Sequence, residues 1–295
     1  MRGNTLTGLG FDEKDKVLIV HADDVGMCHS MNMAVVRNLE EGIVTSCSIM
    51  APCPWVLEAV ELLERIKADV GVHITLNSEW KLYKWRPLTY APSLCDDKGY
   101  LLSDPLKSMS QARVEDVEEE IRAQVRFLKG LGLRLSHVDT HMGTVYMRKE
   151  FFRAYVKAAL DEELLPMVPK PTPLIVSWAK AHGIPIDEEY VRMMEELSIP
   201  KLDLLVVDIY GTTYEERMKF LCRVLRKLMP GTISQVIVHP GLDTDELKAI
   251  IGEDYKLRYF DYKMVMDKRI KELVEIEGIH LIGWRDLLDA WRRIK

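Results

Sequence analysis

The sequence predicts an α/β protein: one domain folded as a β/α barrel, closed or nearly closed, with seven or eight mostly parallel strands. Two observations carry this expectation. Short apolar runs rich in β-branched residues recur along the chain, with amphipathic helix-like stretches between many of them. That alternation is what a parallel sheet with helical crossovers requires. In addition, no short-period repeat and no break in composition divides the 295 residues, a length at which such a barrel is a familiar single unit.

The first run is Val17-Leu18-Ile19-Val20, followed by an amphipathic stretch over 31–41. A second run covers 44–50, a helical stretch 55–67, and a third strand 70–76. An irregular insertion then occupies about 77–105 and carries Trp80, Tyr83, Trp85, Tyr90 and several prolines. Helical periodicity resumes over 114–129, with Gly130 as the expected C-cap. Later strands are expected at 135–141, 164–168, 204–209, 235–239 and 280–282, with helices near 149–160, 214–228 and 261–276 between several of them.

Composition removes several classes of protein. With 47% hydrophobic and 29% charged residues the chain reads as soluble and globular, not disordered. Seventeen glycines and 13 prolines exclude a collagen-like chain, and no apolar run approaches the roughly 18 residues that span a bilayer. The net charge of -6 opposes nucleic-acid binding, which needs a cationic surface to displace phosphate counterions. Five cysteines, an odd number without Cys-x-x-Cys spacing, read as free thiols in a reducing compartment. The first eight residues lack a signal-peptide apolar core, so a cytoplasmic location is expected, and the basic end from Trp291 to Lys295 reads as a solvated helix terminus.

The chemistry sits where strands end. Val17-Leu18-Ile19-Val20 runs into His21-Ala22-Asp23-Asp24-Val25-Gly26, the fourth strand ends in Asp139-Thr140-His141, and 235–238 ends in His239-Pro240-Gly241. His73 lies within the third strand. In parallel β/α folds the loops at the C-terminal strand ends converge on one mouth, so four segments aim carboxylates or imidazoles at one place.

Adjacent strand residues point to opposite faces, so Asp23 and Asp24 reach one centre only if the chain bends there, which Gly26 permits. One could then ligate a metal while the other serves as a base; the competing reading is a turn or helix cap. His137, Asp139 and His141 alternate and share one face, suited to a divalent metal and the groups that orient its ligands, or to a buried hydrogen-bonded network. His73 taken alone reads as a core histidine, and His239 as a turn residue. Together Asp24, His73 and His141 form a carboxylate plus two-His set that leaves coordination positions for water and substrate, with His239 as a general acid.

These segments resemble one family. His21-Ala22-Asp23-Asp24-Val25-Gly26 is similar to the Asn-Ala-Asp-Asp-Phe-Gly signature of the YdjC-like carbohydrate deacetylases, which include chitooligosaccharide deacetylases. The likeness continues through Gly42-Ile43-Val44-Thr45-Ser46, Gly71-Val72-His73-Ile74-Thr75-Leu76, Ser136-His137-Val138-Asp139-Thr140-His141, Val238-His239-Pro240-Gly241 and the Arg258-Tyr259 region, nearly the whole chain in order. The resemblance implies a distorted, TIM-like β/α barrel and metal-dependent hydrolysis of a sugar N-acetyl group. It implies Asp24, His73 and His141 as ligands of one divalent ion (Mg or Zn first, Mn or Co as alternatives). It also implies Asp23 as the base that deprotonates water, and His239 as the group that protonates the leaving amine or stabilises the oxyanion. Arg258 would orient acidic residues or substrate.

Two departures stand out. His21 replaces the usual Asn and would change the hydrogen bonding behind the site. Met142-Gly143-Thr144-Val145 follows His141 where many members carry further histidines, which bears on the substrate more than on the metal. The aromatic insertion suits either sugar stacking, ordinary packing or a subunit interface, the last implying a homodimer. Neither a phosphate-binding glycine loop nor a Gly-x-Ser-x-Gly nucleophile motif is present. The expected partner is a small N-acetylated carbohydrate, with no nucleic acid and no membrane. The rival readings are a metal-dependent hydrolase of another amide or ester, and a carbohydrate-binding protein without turnover.

Overall fold

The computed structural model describes residues 5–294. Part of the N-terminal segment read for a leader (residues 1–4) and the last residue of the basic end (295) lie outside the described residues. Eight strands form one parallel sheet: β1 (Lys16–Val25), β2 (Ser46–Ile49), β3 (Val70–Ile74), β4 (Leu135–Thr140), β5 (Leu165–Pro166), β6 (Leu204–Val206), β7 (Thr232–Val238) and β8 (Ile279–Leu281). The main path runs β5-β4-β3-β2-β1-β7-β6. Past β5, Pro169 bridges in parallel to Leu202 ahead of β6, through Leu202 N–H to Val168 O at 3.0 Å and Lys170 N–H to Leu202 O at 2.7 Å. The ring of strands is therefore drawn together by a single bridge, the expected β/α barrel in distorted form.

The distortion has a second cause in the length of β1. Its one edge is taken by β7 from Lys16 to Ala22, while its other edge is shared. There β8 pairs with Lys16 to Leu18, and β2 begins only at His21. Ten residues of backbone donors and acceptors are enough to satisfy two short strands end to end.

Alternation along β1 sends Leu18, Val20 and Ala22 to the packing between sheet and helices. Val17 and Ile19 face the other way and meet Trp284, Leu287 and Leu288 of the C-terminal helix Trp284–Ile294. The Trp284 indole N–H donates to Gln235 Oε1 at 2.9 Å, and its ring stacks on His137 with centroids 5.0 Å apart. One end of the interior is thus closed by an aromatic side chain, leaving the other end for chemistry.

The helix Val114–Gly130 shows how the outer layer positions the loops. Val117, Ile121, Val125 and Leu128 lie on one buried stripe, as a 3.6-residue period demands. Polar residues on that stripe are all engaged. Gln124 brackets Thr75, accepting from its N–H at 2.9 Å and donating to its carbonyl at 2.8 Å. Glu120 accepts the N–H groups of Leu88 and Thr89 at 3.0 and 2.9 Å, tying the irregular insertion to the barrel.

The elements differ from expectation at identifiable places. Gly130 is the last helical residue and not the cap; Leu131 follows, and the left-handed turn is made by Gly132 at φ +94°. The helix expected over 261–276 is two helices, Tyr255–Met266 and Lys268–Ile276, because Asp267 turns extended and accepts the Arg269 N–H as an N-cap. Helices Pro105–Gln111, Pro173–Ala181, Glu188–Glu196 and Asp245–Ile251 were not expected. Each begins at a capping side chain visible in the sequence: Asp104, Thr172, Asp187 and Thr244. Among the described residues no helix is long and apolar enough to cross a membrane.

Candidate functional site

The inward column of each strand changes character toward its C-terminal end. On β1 it runs Val17, Ile19, His21, Asp23; on β4 it passes through His137 and Asp139 to His141; on β7 it passes through Gln235 and Ile237 to His239. Gly71 and His73 supply the β3 column. Gly71 must be glycine, because a Cβ there would overlap the His137 ring.

Asp24 escapes alternation by a bulge. Between β1 and β2 the register passes from Ala22↔Cys47 to Val25↔Ile49, three residues against two. Asp24 takes up the extra step at φ +57°, a left-handed conformation that aspartate tolerates better than most residues. The expected bend is present, but it lies at Asp24 itself, with Gly26 turning the chain after it at φ +89°. Arg258 Nη1 donates to Asp24 Oδ2 at 2.8 Å and anchors the displaced carboxylate.

The structure brings Asp24, His73 and His141 together. Asp24 Oδ1 lies 3.3 Å from His73 Nε2 and 3.0 Å from His141 Nδ1. This oxygen is buried and has no hydrogen-bond partner of good geometry. A buried oxygen without a hydrogen bond, facing two imidazole nitrogens, could hold a divalent cation. Each imidazole is fixed by a carboxylate on its far side. His73 Nδ1 donates to Asp139 Oδ1 at 2.9 Å, and His141 Nε2 donates to Glu79 at 3.0 Å.

Behind His73 a polar stack fills the interior. Asp139 Oδ2 accepts from His21 Nε2 at 3.0 Å and from Ser48 Oγ at 2.9 Å, and Ser46 Oγ lies 2.8 Å from His21 Nδ1. His137 sits beside His21, ring centroids 5.0 Å apart, and over Trp284. His21, His137 and Asp139 therefore lie beneath the cluster and not in it, and His21 bridges Ser46 and Asp139 there.

Electrostatics follow from burying three carboxylates close together. Burial opposes ionisation of Asp139, but His73 and then His21 overcome it and hold the carboxyl well below the usual range. Burial likewise opposes Asp24, and Arg258 and His141 outweigh it, so Asp24 is ionised. Asp23 goes the other way: burial first and the Asp24 charge second push it well above the usual carboxylate range. Burial would lower His141, yet Glu79 and Asp24 push it up to about 9. Carboxylates that draw a proton onto His141 would draw a cation there as well.

His239 Nε2 lies 3.1 Å from Asp23 Oδ1, and its backbone N–H donates to Asp261 Oδ2 at 3.0 Å. Asp261 is in turn paired with Arg217. Burial lowers His239 to about 3, so its imidazole is neutral. Asp23, Asp24, His73, His141, His239 and Arg258 share one cavity of about 550 Å³.

Several residues of the site were missed in the sequence. Ser46 and Ser48 alternate on β2 toward the same interior, a signal that was available. Arg217 and Asp261 come from helices whose spacing gives no hint of pairing. Glu79 stands in the irregular insertion, where no periodicity marks it. The insertion's aromatic residues do not line the cavity. Trp85 is buried, donates to Asn77 O at 2.9 Å and packs near His141, and Tyr83 donates to Met27 O, so these two pack, while Tyr90 is exposed.

Comparison with known proteins finds relatives along most of the chain. The model of the family described as YdjC-like protein matches residues 17–275. A carbohydrate deacetylase of Thermus thermophilus is 31% identical over 278 residues, 93% of this chain and 95% of that one. A chitooligosaccharide deacetylase of Yersinia enterocolitica is 26% identical over 283 residues, 92% of this chain and 99% of that one. Among solved structures, an Enterococcus faecalis V583 protein superposes with a TM-score of 0.76 at 22% identity, covering 92% of this chain and 99% of that one, a likeness of fold.

Proposed function

The chain belongs to the YdjC-like protein family, and from that premise we propose that it is a metal-dependent hydrolase that removes the acetyl group from an N-acetylated sugar. The observation that carries the reading is the convergence of Asp24, His73 and His141 on one unbonded carboxylate oxygen, with Asp23 and His239 beside it in the same cavity. The names of the Thermus and Yersinia relatives support the substrate class. Asp24, His73 and His141 would hold one divalent ion, with Zn²⁺ and Mg²⁺ the first to test, and the bound ion would polarise the amide carbonyl and make water more acidic there.

The remaining work belongs to side chains. Asp23, whose affinity for protons is raised by burial and by Asp24, accepts the proton of the attacking water on its carboxylate. The raised affinity keeps that proton on Asp23 until the C–N bond breaks and the leaving nitrogen takes it, while His239, neutral at rest and 3.1 Å from Asp23 Oδ1, stands where its imidazole stabilises the oxyanion. Asp261 holds the His239 backbone, and Arg258 keeps Asp24 ionised and turned inward. Asp139 and Glu79 choose which ring nitrogen of His73 and His141 faces the centre.

The test is acetate release from a panel of N-acetylated sugars, with and without chelator. Release that chelator stops and Zn²⁺ or Mg²⁺ restores is expected. Asp23→Asn should lower kcat by at least a hundredfold while retaining most metal binding, the range for a general base; His141→Ala should lose both. Near-normal hydrolysis by Asp23→Asn would remove Asp23 from the role of base, and chelator-insensitive release would remove the metal.

A further inference from the structure

The cavity extends beyond the catalytic groups, and its outer wall has different chemistry. Leu106, Ile175, Ile184, Ile186, Leu205 and Val207 line it, drawn from the helices Pro105–Gln111 and Pro173–Ala181, the segment after the latter, and the end of β6. Leu106 and Met142 stand more than 45% exposed, at 53% and 49%. Beside the cavity they extend the apolar surface of its wall toward the mouth.

The polar groups of that wall are mostly spent. The Tyr146 hydroxyl is given to Met167 O, and Thr140 Oγ1 lies 3.2 Å from Thr144 Oγ1. His182 Nδ1 lies 2.8 Å from Trp178 O, and its ring stacks on the Trp178 indole at 4.1 Å. Outside the catalytic cluster this leaves Asp208, the Trp178 indole N–H and one ring nitrogen of His182 among the described cavity residues. A second pyranose would bring several hydroxyls into the wall, and each one buried without a partner weakens binding. A hydrocarbon chain carries no such cost.

We propose that the substrate of this site carries an aliphatic chain that lies on this wall, so that the protein acts on an amphiphilic N-acylated sugar and not on an oligosaccharide. The proposal rests on the deacetylase reading above and deepens it. The chain has two chemical sources: an alkyl group on the anomeric oxygen, or an N-acyl group longer than acetyl. In either case water adds to the amide carbonyl, the C–N bond breaks, and a carboxylate and an amino sugar leave. Each methylene buried against the wall improves kcat/KM by up to about fourfold.

Three N-acetylhexosamines (gluco, galacto and manno) and their octyl glycosides, kept below micelle formation, are compared by kcat/KM for acetate release. N-octanoylglucosamine is compared by octanoate release. At least a tenfold preference for an octyl glycoside or for the octanoyl amide is expected, and it identifies the source of the chain. In Leu106→Gln and Val207→Thr that preference ratio should fall at least threefold. Equal kcat/KM with and without the chain overturns the proposal while leaving the deacetylase reading intact. If no probe is hydrolysed, calorimetry decides. Octyl glycoside binding at least tenfold tighter than free sugar keeps the apolar subsite and removes the deacetylase reading, whereas equal binding or none overturns the subsite.

Discussion

Asp139 Oδ1 stands 2.9 Å from His73 Nδ1 with both side chains buried, so a carboxylate in the barrel interior decides which face of the imidazole meets Asp24. Asp139→Asn keeps the shape but loses the charge, and metal affinity is expected to fall between ten- and a hundredfold, the range for groups that orient a ligating histidine. Competition with a chromophoric chelator measures it. Unchanged affinity would mean that His73 is oriented by packing alone.

Arg258 is the fixed cation against Asp24, with Nη1 2.8 Å from Oδ2. Arg258→Met leaves the buried carboxylate without it and should cost about 3 kcal/mol in the metal-free protein. A divalent ion would take over the neutralisation, so adding Zn²⁺ should raise the melting temperature of the variant more than that of the native chain. Equal shifts in a thermal melt would show that ion and arginine do not share Asp24.

Gly71 lies against the His137 ring, on which Trp284 stacks. Gly71→Ala should destabilise by about 2 kcal/mol through overpacking, read from urea unfolding. In a His137→Ala background the added methyl has room, and its cost should largely vanish. Additive costs would place the strain elsewhere.

Cys28 occupies the N-cap of the helix His29–Glu41, a position that usually favours thiolate. Burial wins here and pushes the thiol up to about 12, and it raises Cys47 and Cys53 as well. A raised value means less thiolate at a given pH, roughly one part in ten thousand for Cys28 at pH 8. Iodoacetamide at that pH should therefore spare these three thiols until the protein unfolds, as peptide mapping by mass spectrometry would show.

Much of this molecule is legible in its sequence because strand geometry is local. His137, Asp139 and His141 share a face by period-two alternation, and the same rule lines up Ser46 with Ser48. His141 could be named as a candidate for that reason, while Asp24 and His73 follow from the convergence of strand ends and the family resemblance, and the structure brings both imidazoles to one Asp24 oxygen. Glu79 could not be found this way, because its place follows from an irregular insertion tethered by Glu120 of a distant helix. The split at Asp267 was readable in principle, since an N-cap aspartate interrupts the helical period there.

By itself the sequence determined the β/α alternation, the inward columns and the residue types at their ends, since each depends on backbone period and side-chain chemistry over a few residues. Only the tertiary structure decided that β8 shares an edge of β1 with β2, and that Asp24 leaves its column through a bulge. It also decided that Tyr83 and Trp85 of the insertion pack while Glu79 reaches the site, and that an aliphatic wall continues the cavity. These features depend on which strands compete for one row of hydrogen-bonding groups, and on which distant side chains fill the same volume. Neither contest has a period that a sequence displays.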